Sequence, residues 1–158
     1  MKKYYHGAGK RGPYFEGWYL KPQTKTGQSL ALIPALHIDR AGRRSASLQV
    51  ITDRQAWWLD YPDAAFRASA GALQVQVGPS VFTGWEMWLD VEQQGLSLHG
   101  ALRYGPLAPL RRDIMGPFRL VPAMECVHGV LSMGHTLAGE VLLNGERMDF
   151  HQGTGYIE

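Results

Sequence analysis

The stretch WEMWLDVEQQGLSLHGALRY, residues 85–104, decides the fold of this chain because its apolar residues recur at every second position. Trp85, Met87, Leu89 and Val91 fall on one side of an extended strand, and the residues between them are mostly polar. The alternation returns after a short QQG loop. A period of two is typical of half-buried antiparallel strands. The stretch therefore predicts two paired strands with one face in a core.

Strand patterns continue on both sides of this stretch. Residues 72–78 alternate in the same way. Residues 29–38 are apolar on both faces, and we predict that residues 45–52 form the neighbouring strand that pairs with them. Asn144-Gly145 supplies the two positive φ angles of a type I′ hairpin turn. Helical periodicity is nearly absent, and we count about ten strands. We therefore predict an all-β protein, with an antiparallel lipocalin-like barrel or a strongly bent sheet.

Length, charge and composition narrow the class of protein. The 158 residues suit one β-barrel-like domain, which we place at 13–158 after a flexible N-terminus at 1–12. A net charge of +2, from 16 basic and 14 acidic residues, argues against nucleic acid as a partner. We predict no integral membrane segment, since no apolar run is long enough to span a bilayer, while peripheral membrane contact stays open. The single cysteine, Cys126, fits a reducing cytoplasm.

The stretch PYFEGWYLKP, residues 13–22, places one carboxyl among four aromatic side chains. Strand alternation sends Tyr14, Glu16 and Trp18 to one face and Tyr19 to the other. Burial among aromatic rings favours the protonated form of a carboxyl, which can then act as a general acid. Glu16 is therefore the first candidate for a catalytic acid.

A structural role for Glu16 is the alternative. Its carboxylate would then form an ion pair with Lys21, Arg43 or another base, because a buried charge needs a partner. The two roles predict different surroundings for the same side chain.

The stretch MECVHGVLSMGH, residues 124–135, is a second candidate region. Alternation places Cys126 and His128 on one face, which permits either a nucleophile with its base or a packed cysteine beside a hydrogen-bonded histidine. Glu125 and His128 are polar groups in an otherwise apolar stretch, so both are candidates for acid–base work. His37 and His99 would converge only if the strands brought them together, and we predict no metal site.

Three stretches together resemble the tocopherol cyclase family and its bacterial relatives: residues 13–22, 124–145 and 150–158. The family's phenylalanine–glutamate–glycine–tryptophan–tyrosine stretch is matched by residues 15–19. Its histidine–glycine pair resembles His128-Gly129, and its glycine–tyrosine–(any)–glutamate stretch resembles Gly155, Tyr156 and Glu158.

The resemblance implies a lipocalin-like barrel that is the N-terminal half of a two-half architecture, related to carotenoid hydratase-type proteins. It also implies a hydrophobic prenylquinol or isoprenoid-type ligand, no redox cofactor and no metal. If the chain is active, an acid would protonate a prenyl double bond and the quinol oxygen would close a chromanol ring. The catalytic candidates are Glu16, Glu125, His128 and Glu158. The ligand-binding candidates are Tyr14, Trp18, Tyr19, His37, Trp88 and Tyr156.

Two other functions fit the same sequence. The chain would be a non-catalytic module that binds a lipid or isoprenoid in an aromatic-lined barrel. Otherwise its main role would be to dock to the second β-barrel half of the same protein, in which case an apolar patch or open sheet edge would be exposed.

Overall fold

A computed structural model describes residues 3–121 and 127–158 and shows an almost entirely β protein. In the described residues the helical structure is limited to two short 3₁₀ turns, Asp63–Ala65 and Gly116–Leu120. No described helix has the length and apolar character needed to cross a membrane. The strands are β1 (Tyr14–Gly17), β2 (Leu20–Gln23), β3 (Leu30–Ile38), β4 (Arg44–Thr52), β5 (Ala56–Pro62), β6 (Phe66–Ala68), β7 (Gln74–Val77), β8 (Ser80–Thr83), β9 (Glu86–Gln93), β10 (Leu96–Tyr104), β11 (Ser132–Leu143), β12 (Glu146–Asp149) and β13 (Thr154–Ile157).

These strands form one antiparallel sheet in the order β5-β4-β3-β2-β13-β11-β10-β9-β8-β7-β6. Strand β1 pairs with β3, and β12 pairs with β11. The two ends of this order, β5 and β6, follow each other in the chain and are joined by the first 3₁₀ turn. The sheet therefore curls into a nearly closed barrel. This confirms the fold class that the alternation predicts.

The inner faces of the strands meet in a single hydrophobic core. Met87, Leu89 and Val91 are buried on β9, and Leu98 is fully buried on β10, as the alternation predicts. Side chains from β3 to β13 join this cluster, so the interior is filled by the protein itself. The prediction for Trp85 is wrong, because its side chain is 58% exposed. Strand β9 begins only at Glu86, so the alternation does not yet govern position 85.

Residues 14–23 run along β3 in one constant register, although they are divided into β1 and β2. The division lies opposite Pro34. The amide of Trp18 donates to the carbonyl of Pro34 at 3.0 Å, but proline has no N–H to return the bond. Inward and outward positions therefore continue without a shift from Tyr14 to Gln23, which fixes the direction of every side chain in the aromatic stretch.

The predicted Asn-Gly turn is confirmed at the β11–β12 hairpin. Asn144 has φ of 49° and Gly145 has φ of 83°, the two positive values that a type I′ turn requires. The amide oxygen of Asn144 also accepts a hydrogen bond from the Ser97 backbone at 2.8 Å. The turn is thereby tied to the start of β10.

We expect Leu98→Ala to destabilise the protein by about 2–5 kcal/mol, because Leu98 is fully buried and its removal leaves a cavity in the core. The matched control is Leu142→Ala, on the neighbouring strand, where the leucine is 46% exposed. We expect the control to change stability by no more than about 0.5 kcal/mol. Urea denaturation of both variants measures the difference. Equal losses would contradict the assignment of inner and outer faces.

Candidate functional site

Six of the ten sequence-predicted site residues gather in two places, each built around a tyrosine and a glutamate two positions apart. The rim cluster consists of His6, Tyr14 and Glu16. The groove cluster consists of Tyr19, His128, Tyr156 and Glu158. In both clusters the tyrosine hydroxyl donates to one carboxylate oxygen and a histidine ring meets the other. Residues two apart on a strand share a face, so the spacing itself produces the tyrosine–glutamate contact.

The carboxylate of Glu16 is closely surrounded in the rim cluster. Its side chain is only 13% exposed, and the backbone N–H of His6 lies 3.0 Å from each of its oxygens. The His6 ring nitrogen Nδ1 lies 3.0 Å from Oε1, and the Tyr14 hydroxyl donates to Oε2 at 2.9 Å. Burial and the neighbouring carboxylate raise the pKa of Tyr14 above its ordinary value. The partners of Glu16 are thus Tyr14 and His6, which is a base other than the Lys21 and Arg43 that the structural alternative named.

The face that carries Tyr14, Glu16 and Trp18 points into the barrel. Trp18 is 4% exposed and lies 6.3 Å, between ring centroids, from both Tyr5 and Phe66. The space next to this face is occupied by residues 4–7. We predicted a flexible N-terminus over residues 1–12, and in the structure Tyr5 is buried at this end of the barrel.

The groove cluster forms where the end of the chain pairs with the aromatic stretch. The backbones of Tyr19 and Glu158 exchange two hydrogen bonds, at 2.8 and 2.9 Å. His128 Nδ1 lies 2.6 Å from Glu158 Oε1, and the Tyr156 hydroxyl donates to Glu158 Oε2 at 2.8 Å. Burial, followed by this hydrogen bond, raises the pKa of Tyr156 to about 12. Tyr156 therefore stays a hydrogen-bond donor throughout the physiological pH range.

An open groove of about 390 Å³ runs along the outer face of β2, β13 and β11 beside this cluster. The rings of Tyr19 and Tyr156 stand edge to face in it, 6.1 Å apart. Met133 is 58% exposed and adds an apolar surface. The groove is lined by Tyr19, Lys21, Gln23, Met133, Gly134, Thr154, Gly155 and Tyr156. It combines aromatic faces and a flexible apolar side chain in one concave surface, as small-molecule sites do, and one of its tyrosines, Tyr156, is bonded to the carboxylate of Glu158.

His37 lies in neither cluster. It lies on the outer face between the rings of Phe15 and Trp58, at 5.2 and 5.6 Å, and its Nε2 is 2.8 Å from Ser47 Oγ. Burial lowers the pKa of His37 below its ordinary value. His99 does not converge with it, because His99 is held between the carboxylates of Asp90 and Glu92 on β9.

The other predicted residues also lie away from the clusters or outside the described part of the chain. Trp88 is 58% exposed on the outer face of β9, opposite Ala101 of β10. Glu125 and Cys126 lie outside the described residues. Their predicted roles stay predictions.

One buried polar pair was missed by the sequence reasoning. The register of β11 shifts between Met133 and His135, where Gly134 has φ of 94°, so that Ser132 and His135 both turn inward. Ser132 Oγ accepts from the Ala108 N–H at 2.9 Å and lies 2.8 Å from His135 Nδ1. The glycine inside a strand pattern was the available signal, since it often marks a bulge.

Tyr104 completes the surroundings of this pair. Its ring lies 4.8 Å from that of His135, and its buried hydroxyl has no hydrogen-bond partner within residues 3–121 and 127–158. Gly155 packs directly over the histidine, and a methyl group there would come within 2.2 Å of Nε2. Packing against His135 therefore requires a glycine at position 155, and Gly155 also lines the groove.

Comparison of the chain with protein-family models, with curated proteins and with solved structures gave no match.

Protonation of His135 should destabilise the fold. Burial lowers the folded-state pKa of His135 below that of the unfolded chain, about 6.5, so the unfolded state binds more protons as the pH falls. The free energy of unfolding that depends on a neutral His135 is fully present above about pH 6.5, and it is lost as the pH falls through the folded-state pKa.

His135→Asn keeps a hydrogen-bond acceptor for Ser132. We therefore expect its free energy of unfolding to fall less than that of the wild type when the pH is lowered from about 7.5 to about 5. Chemical denaturation at both pH values measures this loss. His151→Asn is the control, because His151 is an exposed turn residue paired with Asp149, and its loss should change the pH dependence less than the loss of the buried His135. An identical pH dependence in all three proteins would contradict the assignment.

Proposed function

We propose that this chain is a tocopherol cyclase-like domain that binds a prenylquinol or other isoprenoid-type ligand in the open groove beside Glu158. The family part of the proposal rests on the three resembling sequence stretches. The site part rests on one observation, that Tyr19, His128, Tyr156 and Glu158 converge at the groove. A cytoplasmic location goes with this proposal.

The groove offers each part of such a ligand a suitable surface. A quinol ring can pack against Tyr19 and Tyr156, since aromatic rings favour offset or edge-to-face contacts. Its hydroxyl can donate to the carboxylate of Glu158, and an apolar tail can lie on Met133, whose flexible thioether adapts to irregular shapes. The filled interior favours the outer groove over the inside of the barrel as the place for the ligand.

Ring closure is the chemical step that this site would perform if it is active. For this step Glu158 would first take up a proton from solvent. Its carboxyl would then give that proton to the prenyl double bond, and the quinol oxygen would form a C–O bond with the resulting tertiary carbocation. The proton released from that oxygen would restore the carboxyl. The reaction is an isomerisation, in which no electrons are gained or lost.

Docking to a second β-barrel half is the other candidate function, and exposed aromatic residues favour it. Phe15 is 57% exposed and Trp58 is 47% exposed on the outer face beside His37. Exposed apolar patches mark interaction sites more often than scattered single residues do. A partner over this face and the neighbouring groove would also exclude water from a carbocation.

We expect the wild-type protein to bind a prenylated hydroquinone and Glu158→Gln to bind it about tenfold more weakly, because a charge-assisted hydrogen bond is lost. Isothermal titration calorimetry measures both affinities. Glu92→Gln is the matched control, because Glu92 is also an outer carboxylate bonded to a histidine and a hydroxyl, but on β9. Equal affinities for all three proteins would place the ligand elsewhere.

The same mixtures separate binding from catalysis. Chromanol product that forms with the wild type and disappears with Glu158→Gln would establish ring closure at this site. Tight binding without product between about pH 5 and pH 8 would leave the chain as a binding module. Product that forms only when a separately expressed second half is added would make docking a requirement of the reaction.

A further inference from the structure

The N-terminal strap, residues 4–7, fills the end of the barrel without belonging to any strand. Only one of its side chains reaches deep into the protein. The ring of Tyr5 is 8% exposed and lies 6.3 Å from that of Trp18 and 6.0 Å from that of Phe66. The strap thus packs one phenol ring against two aromatic residues of the barrel, which also contact each other.

The surroundings of this ring combine aromatic, apolar and hydrogen-bonding groups. Trp18 and Phe66 provide two aromatic faces, and Leu36 packs nearby where the strap passes at Gly7. The Arg44 Nη2 atom donates to the hydroxyl of Tyr5 at 3.2 Å. The guanidinium is held in place from its other side, because Arg44 Nε lies 3.1 Å from Asp63 Oδ1. The barrel therefore positions a hydrogen-bond donor at the hydroxyl of a ring that packs beside the Trp18–Phe66 pair.

We propose that this end of the barrel is a binding site for a para-substituted phenol, and that Tyr5 occupies it in the structure as an internal substitute. The side chain of Tyr5 is itself a para-substituted phenol. Its hydroxyl accepts a hydrogen bond from Arg44, and its para substituent is the Cβ atom that joins it to the strap. An external phenol would take the place of the ring when the strap leaves. The site lies on the inward face and shares no residue with the groove cluster, so it does not depend on the function proposed for the groove.

The strap lies outside the strand ladders, which makes its departure feasible. The Tyr4 N–H donates to the Ala70 carbonyl at 3.0 Å, and His6 meets the carboxylate of Glu16 through its N–H and its ring. Segments that lie outside the strand ladders can open at a lower free energy than the global unfolding. When the strap opens, Glu16 loses both contacts with His6 and keeps the hydroxyl of Tyr14. Phenol binding would therefore also uncover the carboxylate at the rim.

The first test uses the full chain and p-cresol, the side-chain analogue of tyrosine. We expect p-cresol to bind Tyr5→Gly at least about tenfold more tightly than the wild type, in which the strap must first leave. The indole N–H signal of Trp18 in NMR titrations reports on this site. Toluene, which lacks the hydroxyl, should bind Tyr5→Gly more weakly than p-cresol, and adding Arg44→Met should remove that preference.

The second test displaces the strap and keeps Tyr5. A methyl group at Gly7 would lie 2.7 Å from both Leu36 Cδ2 and Tyr5 Cε2, so Gly7→Ala should push the strap outward. We expect this variant to bind p-cresol more tightly than the wild type, even if Tyr5→Gly fails to fold. Gly71→Ala is the matched control, since a methyl group there meets no atom within 4 Å, and its affinity should equal that of the wild type.

Hydrogen exchange distinguishes binding that displaces the strap from binding in a cavity that the substitutions enlarge. Saturating p-cresol should accelerate amide exchange at residues 5–7 of the wild type. The proposal is overturned if exchange there is unchanged at saturation, or if neither Tyr5→Gly nor Gly7→Ala binds p-cresol more tightly than the wild type. It is also overturned if the Trp18 signal responds equally to toluene and p-cresol in every variant.

Discussion

The burial of one face of a nearly closed sheet is the constraint on which the rest of this structure depends. When a sheet curls around its own inner face, every second residue of each strand must fit into one shared interior. In this chain those positions hold leucine, valine, methionine and phenylalanine, and they fill the interior completely enough to form a single core. Among the described residues, carboxylates are then left with two places, the rim of the barrel and its outer face. Both candidate sites lie there.

The two tyrosine–glutamate pairs show how much the surroundings add to a local motif. In each pair the strand places the hydroxyl on the carboxylate two positions away, at 2.9 Å in the rim cluster and 2.8 Å in the groove cluster. The inner carboxylate is covered by a backbone segment, and its side chain is 13% exposed. The outer carboxylate has a side chain that is 26% exposed, beside an open groove. The tyrosine–glutamate pair is therefore covered by the backbone in the rim cluster, whereas in the groove cluster it lies at an accessible surface.

Local pattern accounts for most of what the sequence predicted correctly. Alternation gives the inner face of β9 and β10, because a strand's side chains are set by the pleat alone. The Asn144-Gly145 turn is equally local, since only the φ angles of two residues are needed. The prediction for Trp85 was wrong and the buried His135 was missed for one shared reason. The first lies just before its strand and the second follows a bulge, and alternation holds only inside a regular ladder.

The two sites depend on pairings that no local pattern contains. His6 reaches Glu16 because the strap folds back over the rim, and Tyr19 reaches Glu158 because the last strand closes onto β2. Such long-range pairings follow from the closure of the whole sheet, and one sequence without aligned relatives gives no measure of them. The resemblance did bring together residues from both ends of the chain, which the structure joins at the groove.

Protonation of an alkene places two demands on a site that this barrel meets in different places. The acid must reach the substrate, and water must be kept from the carbocation that follows. The groove meets the first demand, because Glu158 is bonded to a residue that lines it. The rim meets the second, because the backbone of residues 4–7 covers Glu16 and leaves its side chain only 13% exposed. Carbocation chemistry in this chain would therefore need a cover over the outer groove, since moving the acid inward would leave no space for the substrate.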